Sequence, residues 1–330
     1  MNTIPFLEPL TADLERVERK MREPVHPVYP ELTAVLKSLL DSGGKRLRPA
    51  LALLAGSFYP TDTEKLVSLA ASIEMLHTAT LVHDDLIDGA ILRRGRTTVN
   101  ARWNMGATVL TGDYVFARAA GLAAETGNVR VISIFADTLM TICSGELRQI
   151  FDRHDLPRID GEEAWKEALA RYDHRIHAKT ASLFAAATES ASVLSGAPDE
   201  QVNALRDYGW LLGTGFQIVD DILDFQGDQE VLGKPVGSDL REGIVTLPVL
   251  YFLRQHPDDE RVAAVVRDGG NETMVQEIAA AIHESGALSR AMDRARAFIT
   301  QSQAALTALP EGAVRDTLHN LAEFTISREL

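Results

Sequence analysis

Two copies of one acidic signature constrain this chain more than any other feature. Asp84-Asp85-Leu86-Ile87-Asp88 and Asp220-Asp221-Ile222-Leu223-Asp224 each place three carboxylates within five residues. On a helix, positions i and i+4 share a face, so Asp84 stacks over Asp88 and Asp220 over Asp224. Like charges at that spacing repel and weaken the helix. A helical chain that accepts this twice has a cation to hold there.

The surrounding sequence is helical. From Glu64, the residues Leu66, Leu69, Ile73, Leu76 and Thr80 recur at alternating steps of three and four. Thr61 with Glu64 reads as a capping box opening that run, and the first acidic motif closes it. Gly89 and the polar stretch 93–98 read as a loop. Further helices are predicted over 106–124, 129–151 and 162–179. Another starts after Ala197-Pro198 and runs to the second motif, and one opens at Thr246-Leu247-Pro248. Residues 227–243 carry four glycines and Pro235 and read as a broken segment, with another break at Asp268-Gly269-Gly270. The flanks of the two motifs differ, so no whole-domain repeat is visible. The expectation is an all-α bundle, and without a linker-like stretch it is read as a single domain over residues 1–330.

Composition narrows the function classes. The 330 residues are 45% hydrophobic with a formal net charge of −14, which leaves no basic footprint for nucleic acid. The N-terminal stretch mixes charges among its apolar residues, unlike a signal peptide. No run reaches the ~18 uncharged apolar residues of a membrane span, so no transmembrane segment is expected. One cysteine, Cys143, excludes an internal disulfide framework, fits a cytoplasmic setting, and is expected to be a small buried apolar residue.

The ligand of the carboxylates can be narrowed by elimination. Neither motif has the Gly and alternating ligands of a twelve-residue calcium loop. No His and Cys cluster suits zinc. Magnesium takes oxygen ligands, often one or two carboxylates completed by substrate phosphates. Cations for those phosphates lie nearby in sequence: Arg93 and Arg94 after the first motif, Lys234 after the second, and three more in Gly43-Gly44-Lys45-Arg46-Leu47-Arg48-Pro49. That glycine stretch lacks Walker spacing.

In order along the chain, these pieces resemble the trans-isoprenyl diphosphate synthases, or polyprenyl synthetases. The matching set is 43–49, the D-D-x-x-D at 84–88 with Arg93-Arg94, Lys179-Thr180, Gly215-Phe216-Gln217 leading into the D-D-x-x-D at 220–224, and Gly233-Lys234-Pro235-Val236-Gly237. The resemblance implies an isoprenoid-synthase helical bundle around a deep central cavity, as a homodimer. It also implies magnesium-dependent head-to-tail addition of isopentenyl diphosphate to an allylic diphosphate. By that resemblance Asp84, Asp85 and Asp88 hold magnesium, as does Asp220, with Asp221 and Asp224 in support. Arg93, Lys179 and Lys234 contact the allylic diphosphate. Lys45, Arg48, His77 and Arg94 hold isopentenyl diphosphate. Thr180 and Gln217 sit beside the reacting carbons. One departure stands out: the family often carries a lysine at the place of Ile244.

Product length follows from what lies below the first motif. Leu76, Ala79 and Thr80 are one to two turns upstream, roughly 6–12 Å along the axis. In the family a bulky aromatic four or five residues upstream stops growth early, and Ala79 and Thr80 are small. The expected product is longer than geranylgeranyl diphosphate, with Phe135 as a floor. The alternatives are a farnesyl or geranylgeranyl synthase, a terpene cyclase, and a silent subunit of a heteromeric synthase. A cyclase should lack the cations at 45–48, and a silent subunit should have a degraded motif. His83 is expected to play a supporting part, and Trp103, Trp165 and Trp210 are expected to pack.

Overall fold

The computed structural model describes residues 5–23, 29–41, 43–93, 95–226 and 236–327. Its described elements are helical apart from one hairpin of two two-residue strands, and the all-α class holds. The contacts group the chain into two compact units, each assembled from separate stretches.

Unit 1 comprises residues 1–138, 183–209 and 305–320. After a 3-10 turn (Pro5–Leu10), it holds α1 (Thr11–Arg22), α2 (Pro30–Asp41), α3 (Leu47–Gly56), α4 (Thr63–Ile87), α5 (Val99–Arg102) and α6 (Met105–Glu125). It also takes the start of α7 (Val129–Asp152), most of α9 (Ser182–Leu194) and the start of α10 (Asp199–Gln226). The central element is α4, whose Leu66, Leu69, Ile73 and Leu76 are buried as the periodicity requires. Its N-cap is Asp62, which accepts from the amides of Glu64 and Lys65. This replaces the predicted Thr61 capping box: the carboxylate one residue on reaches the first-turn amides.

Against α6, α4 is tied by Ser72 Oγ to the Ala119 carbonyl (2.8 Å) and by Ser68 Oγ to Glu125 (2.9 Å). A β-carbon on Gly112 would lie 2.2 Å from His83 Nε2, so only glycine allows that approach. By length and composition α4 could cross a membrane, yet 72% of its most apolar window is buried inside the protein. Its hydropathy therefore serves the core.

Unit 2 comprises residues 139–182, 210–304 and 321–330. It contains the rest of α7, α8 (Glu162–Ile176), a π-turn (His177–Ala181), the rest of α10, α11 (Ser238–Arg241), α12 (Leu247–Gln255), α13 (Glu260–Asp268), α14 (Glu272–Glu284) and α15 (Ala287–Ala305). The last helix, α16 (Ala313–Ser327), is divided between the two units. Its core runs from Trp165 and Tyr172 through Ile218, Ile222, Leu247 and Phe252 to Val262, Val275 and Leu288.

Several predicted ends held. The helix before Gly269 stops at Asp268, with Gly269 left-handed at φ +79°. The predicted loop at 93–98 instead forms a small antiparallel ladder pairing Leu92 with Thr97 and Arg93 with Arg96. Within the predicted broken segment, residues 227–235 lie outside the described residues, and the remainder contains α11.

Two expectations fail on burial. Cys143 is exposed rather than buried, because it falls on the outward face of α7. Trp210 remains 37% exposed and donates its indole N–H to His177 Nδ1 in the π-turn. Trp165, by contrast, packs as expected, buried with Arg254 over its ring.

Candidate active site

Both acidic motifs occupy the C-terminal ends of long helices, α4 and α10. A helix C-terminus already carries partial negative charge, and each added carboxylate there costs about 0.3–1 kcal/mol. Three carboxylates per end make a strong attractor for cations.

In unit 1, Asp88 is the C-cap of α4; its amide donates to the Asp84 carbonyl, and Gly89 turns the chain at φ +63°. The chain then doubles back through the hairpin. Arg93 Nε thereby reaches Asp85 Oδ1 at 2.6 Å, and Asp85 is 6% exposed. Asp84 is half-buried, and with His77, Thr80, Leu81 and the C-cap Asp88 it forms one accessible stripe at the end of α4. Leu76 and Ala79 have no exposed surface. Of the predicted lining residues on α4, only Thr80 therefore faces open space. Phe135 is buried on α7. His83 reaches the Val109 carbonyl at 3.2 Å and stacks at 5.3 Å from Phe116.

The glycine-rich entry of α3 separates its three cations. Arg46, left-handed at φ +48°, is buried between Glu18 (2.7 Å) and Glu74 (2.6 Å) and donates to the Leu40 carbonyl. Lys45 is exposed and Arg48 half-buried, with the Arg48 guanidinium 4.8 Å from the Phe184 ring centroid. Arg46 thus pins the turn that presents the other two. Arg94 lies outside the described residues.

In unit 2, α8 passes through the π-turn at His177–Ala181, which carries Lys179 and Thr180. A π-turn inserts one residue into the helical register and re-aims side chains, and such turns recur at functional sites. Lys179 Nζ meets Glu146 at 3.0 Å. Thr180 Oγ1 donates to Gln217 Oε1 (2.6 Å), and Gln217 Nε2 donates to Asp221 Oδ1 (2.9 Å). The hydroxyl of Tyr172 donates to Asp221 Oδ2 (2.7 Å). Both Asp221 oxygens are therefore engaged inside the protein. Burial pushes the Asp221 carboxyl up to about 7, and the Asp239 carboxylate adds to the rise.

Asp224 fastens the far side of the motif. Its Oδ1 accepts from Ser238 Oγ at 2.6 Å and its Oδ2 from the Asp239 amide at 3.3 Å. Burial, then Asp239, raises it to about 6. Asp220 is half-buried on the same helix end. Lys234 lies outside the described residues.

Tyr172, Glu146, Asp239 and Arg175 belong to this surround but to none of the sequence motifs. One signal for two of them was available: Tyr172, Arg175 and Lys179 follow at steps of three and four, one helical face. Among the described residues, no group of three or more His, Cys, Asp or Glu side chains could hold a metal ion by itself.

The comparisons with known proteins agree with this picture. The polyprenyl synthetase family model matches residues 29–284. The chain is 41% identical to the heptaprenyl diphosphate synthase component 2 of Geobacillus stearothermophilus, over 97% of each chain. The crystal structure of a polyprenyl synthase from Caulobacter crescentus CB15, complexed with calcium and isoprenyl diphosphate, superposes with a TM-score of 0.89 at 36% identity, covering 98% of this chain and 97% of that one. A decaprenyl diphosphate synthase from Rhodobacter capsulatus does so with a TM-score of 0.87 at 35% identity, covering 98% of both. The chain belongs to the polyprenyl synthetase family and is a prenyltransferase.

Proposed function

We propose that the protein extends an allylic diphosphate by successive head-to-tail additions of isopentenyl diphosphate, using magnesium, to a product longer than geranylgeranyl diphosphate. The observation that carries this reading is the pair of intact acidic helix ends, each set in a frame that also presents lysine or arginine. The donor set fits magnesium: carboxylate oxygens with no sulfur or clustered imidazole, left for substrate oxygens to complete. When bound, magnesium would neutralise charge building on the departing diphosphate. Asp84, Asp85 and Asp88 would hold magnesium at the end of α4, and Asp220 a further magnesium at the end of α10, with Asp221 and Asp224 as supports.

The chain's own residues account for the remaining requirements. Lys179 and Arg93 place positive charge where the allylic diphosphate leaves, and Lys45, Arg48 and His77 hold the second diphosphate so that its double bond can attack. Thr180 and Gln217, locked to each other, present fixed oxygens beside the carbocation. Water must be kept out at that step. The final proton goes to the released diphosphate.

Product length rests on the small, accessible Thr80 below the motif and on relatives named for long-chain products; the Rhodobacter capsulatus structure is of a decaprenyl diphosphate synthase. The homodimer is supported by an outward apolar stripe. On α7, Ile132, Met140, Leu147 and Phe151 are exposed, and on α6 so are Met105 and Leu110. A cytoplasmic location is part of the same reading, supported by one cysteine in 330 residues.

One assay tests the reading. Purified protein with magnesium, isopentenyl diphosphate and a series of allylic primers should give products longer than twenty carbons on chromatography after dephosphorylation. No elongation with any primer would defeat it. A second reading, work within a heteromeric synthase, is favoured by the "component 2" relative. It predicts elongation only once a partner chain is added.

A further inference from the structure

Arg175 lies one turn before Lys179 and belongs to none of the sequence motifs. It lines a cavity of about 90 Å3 with Lys179, Gln217, Asp221, Asp239 and Ile244. Its Nη2 donates to the Val245 carbonyl at 2.7 Å, and its guanidinium carbon stands 5.4 Å from the Tyr172 ring centroid. The side chain is half-buried and tethered at one corner. A guanidinium has five N–H donors in a rigid fork that suits phosphate oxygens. The Asp221 oxygens nearest this wall are already engaged by Gln217 and Tyr172. Ile244, which lines the same cavity, offers only an aliphatic surface.

We propose that Arg175 is a substrate-binding cation that grips the allylic diphosphate beside Lys179, in the cavity where Ile244 offers no charge. This deepens the proposed function and rests on its placement of the allylic diphosphate at Lys179. The competing role is purely internal: Arg175 offsetting the buried Asp221 and holding the Val245 turn. The two roles differ in which substrate each affects.

Steady-state kinetics should be compared for the wild type, Arg175→Gln, Arg175→Lys and the double variant Arg175→Gln with Ile244→Lys. Binding of inorganic diphosphate with magnesium, followed by calorimetry, gives a readout independent of turnover. A lost charge-assisted contact to a diphosphate is expected to raise the KM for the allylic substrate ~10- to 100-fold. The KM for isopentenyl diphosphate should stay within about twofold, and inorganic diphosphate should bind correspondingly weaker. Arg175→Lys should keep most of the affinity, and adding Ile244→Lys to Arg175→Gln should restore much of it from another point on the cavity lining. Wild-type affinity in Arg175→Gln would overturn the proposal. So would an equal rise in both KM values with a lowered melting temperature and no rescue, which is the signature of the internal role. A wild type that binds inorganic diphosphate but elongates no primer would instead defeat the function on which the proposal rests, and the proposal with it.

Discussion

Arg46 illustrates how much one side chain can fix. It stands in the left-handed region at φ +48°, with its guanidinium between Glu18 and Glu74 and the Glu74 side chain only 7% exposed. Removing it leaves Glu74 as a buried charge without its guanidinium, a change that costs about 3–5 kcal/mol. Arg46→Ala is therefore expected to lower the unfolding free energy by that amount in urea titrations. Asp221 predicts a pH effect. Its carboxyl is raised from the usual 3.8 to about 7, so between those values the folded protein holds more protons at this group than the unfolded chain. Its contribution to stability is therefore present at low pH and is lost as pH rises through about 7. The melting temperature of the metal-free protein should fall across that window, and Asp221→Asn should flatten the fall. A slope unchanged in that variant would show that other groups set it.

At the scale of the element, α4 performs two tasks in sequence. After an exposed first turn, residues 66–76 are buried all round, and the last turns open a stripe through His77, Thr80, Leu81 and Asp84. This separates two residues that the sequence treats alike. Ala79 has no exposed surface, whereas Thr80 does. Thr80→Phe should project an aromatic ring into open space and shift the product distribution toward shorter chains. Ala79→Phe should overpack a closed site and destabilise the fold by about 1–3 kcal/mol. Chromatography of dephosphorylated products with thermal melts on both variants checks the pair. Shortening by Ala79→Phe with unchanged stability would return the length-setting position to residue 79.

At the scale of the whole molecule, the outward stripe of α7 has helical spacing: Ile132, Ala136, Met140, Cys143 and Leu147 follow at steps of four, four, three and four. Each large apolar side chain withdrawn from water contributes about 1.5–3 kcal/mol. A set of this size in water would be a standing aggregation hazard, and the proposed homodimer would cover it with a second copy of the chain. Sedimentation equilibrium should give twice the 36.1 kDa chain mass. Met140→Glu with Leu147→Glu should give the single-chain mass. Dimers that survive both substitutions would place the interface on another face.

The helical class, most helix ends and the family were legible in the sequence because they are local or strictly ordered signals. Three- and four-residue apolar spacing needs no partner to be read, and the two D-D-x-x-D motifs keep their order with Lys179-Thr180 between them. Helix starts were legible only to within a residue, as the shift from Thr61 to Asp62 shows. Which members of a motif do which job was decided by tertiary structure. Lys45, Arg46 and Arg48 form one basic string, yet the fold buries Arg46 against Glu18 and Glu74 and leaves Lys45 exposed. Asp220 and Asp221 are adjacent, yet Tyr172 and Gln217 take both oxygens of the second alone. Cys143 and Ile142 are neighbours in an apolar helix, and only the rotation of α7 exposes the first and buries the second. The physical reason is the same in each case. Spacing along a helix determines which side chains share a face, but burial, partner and charge state depend on what packs against that face, and those contacts come from distant segments.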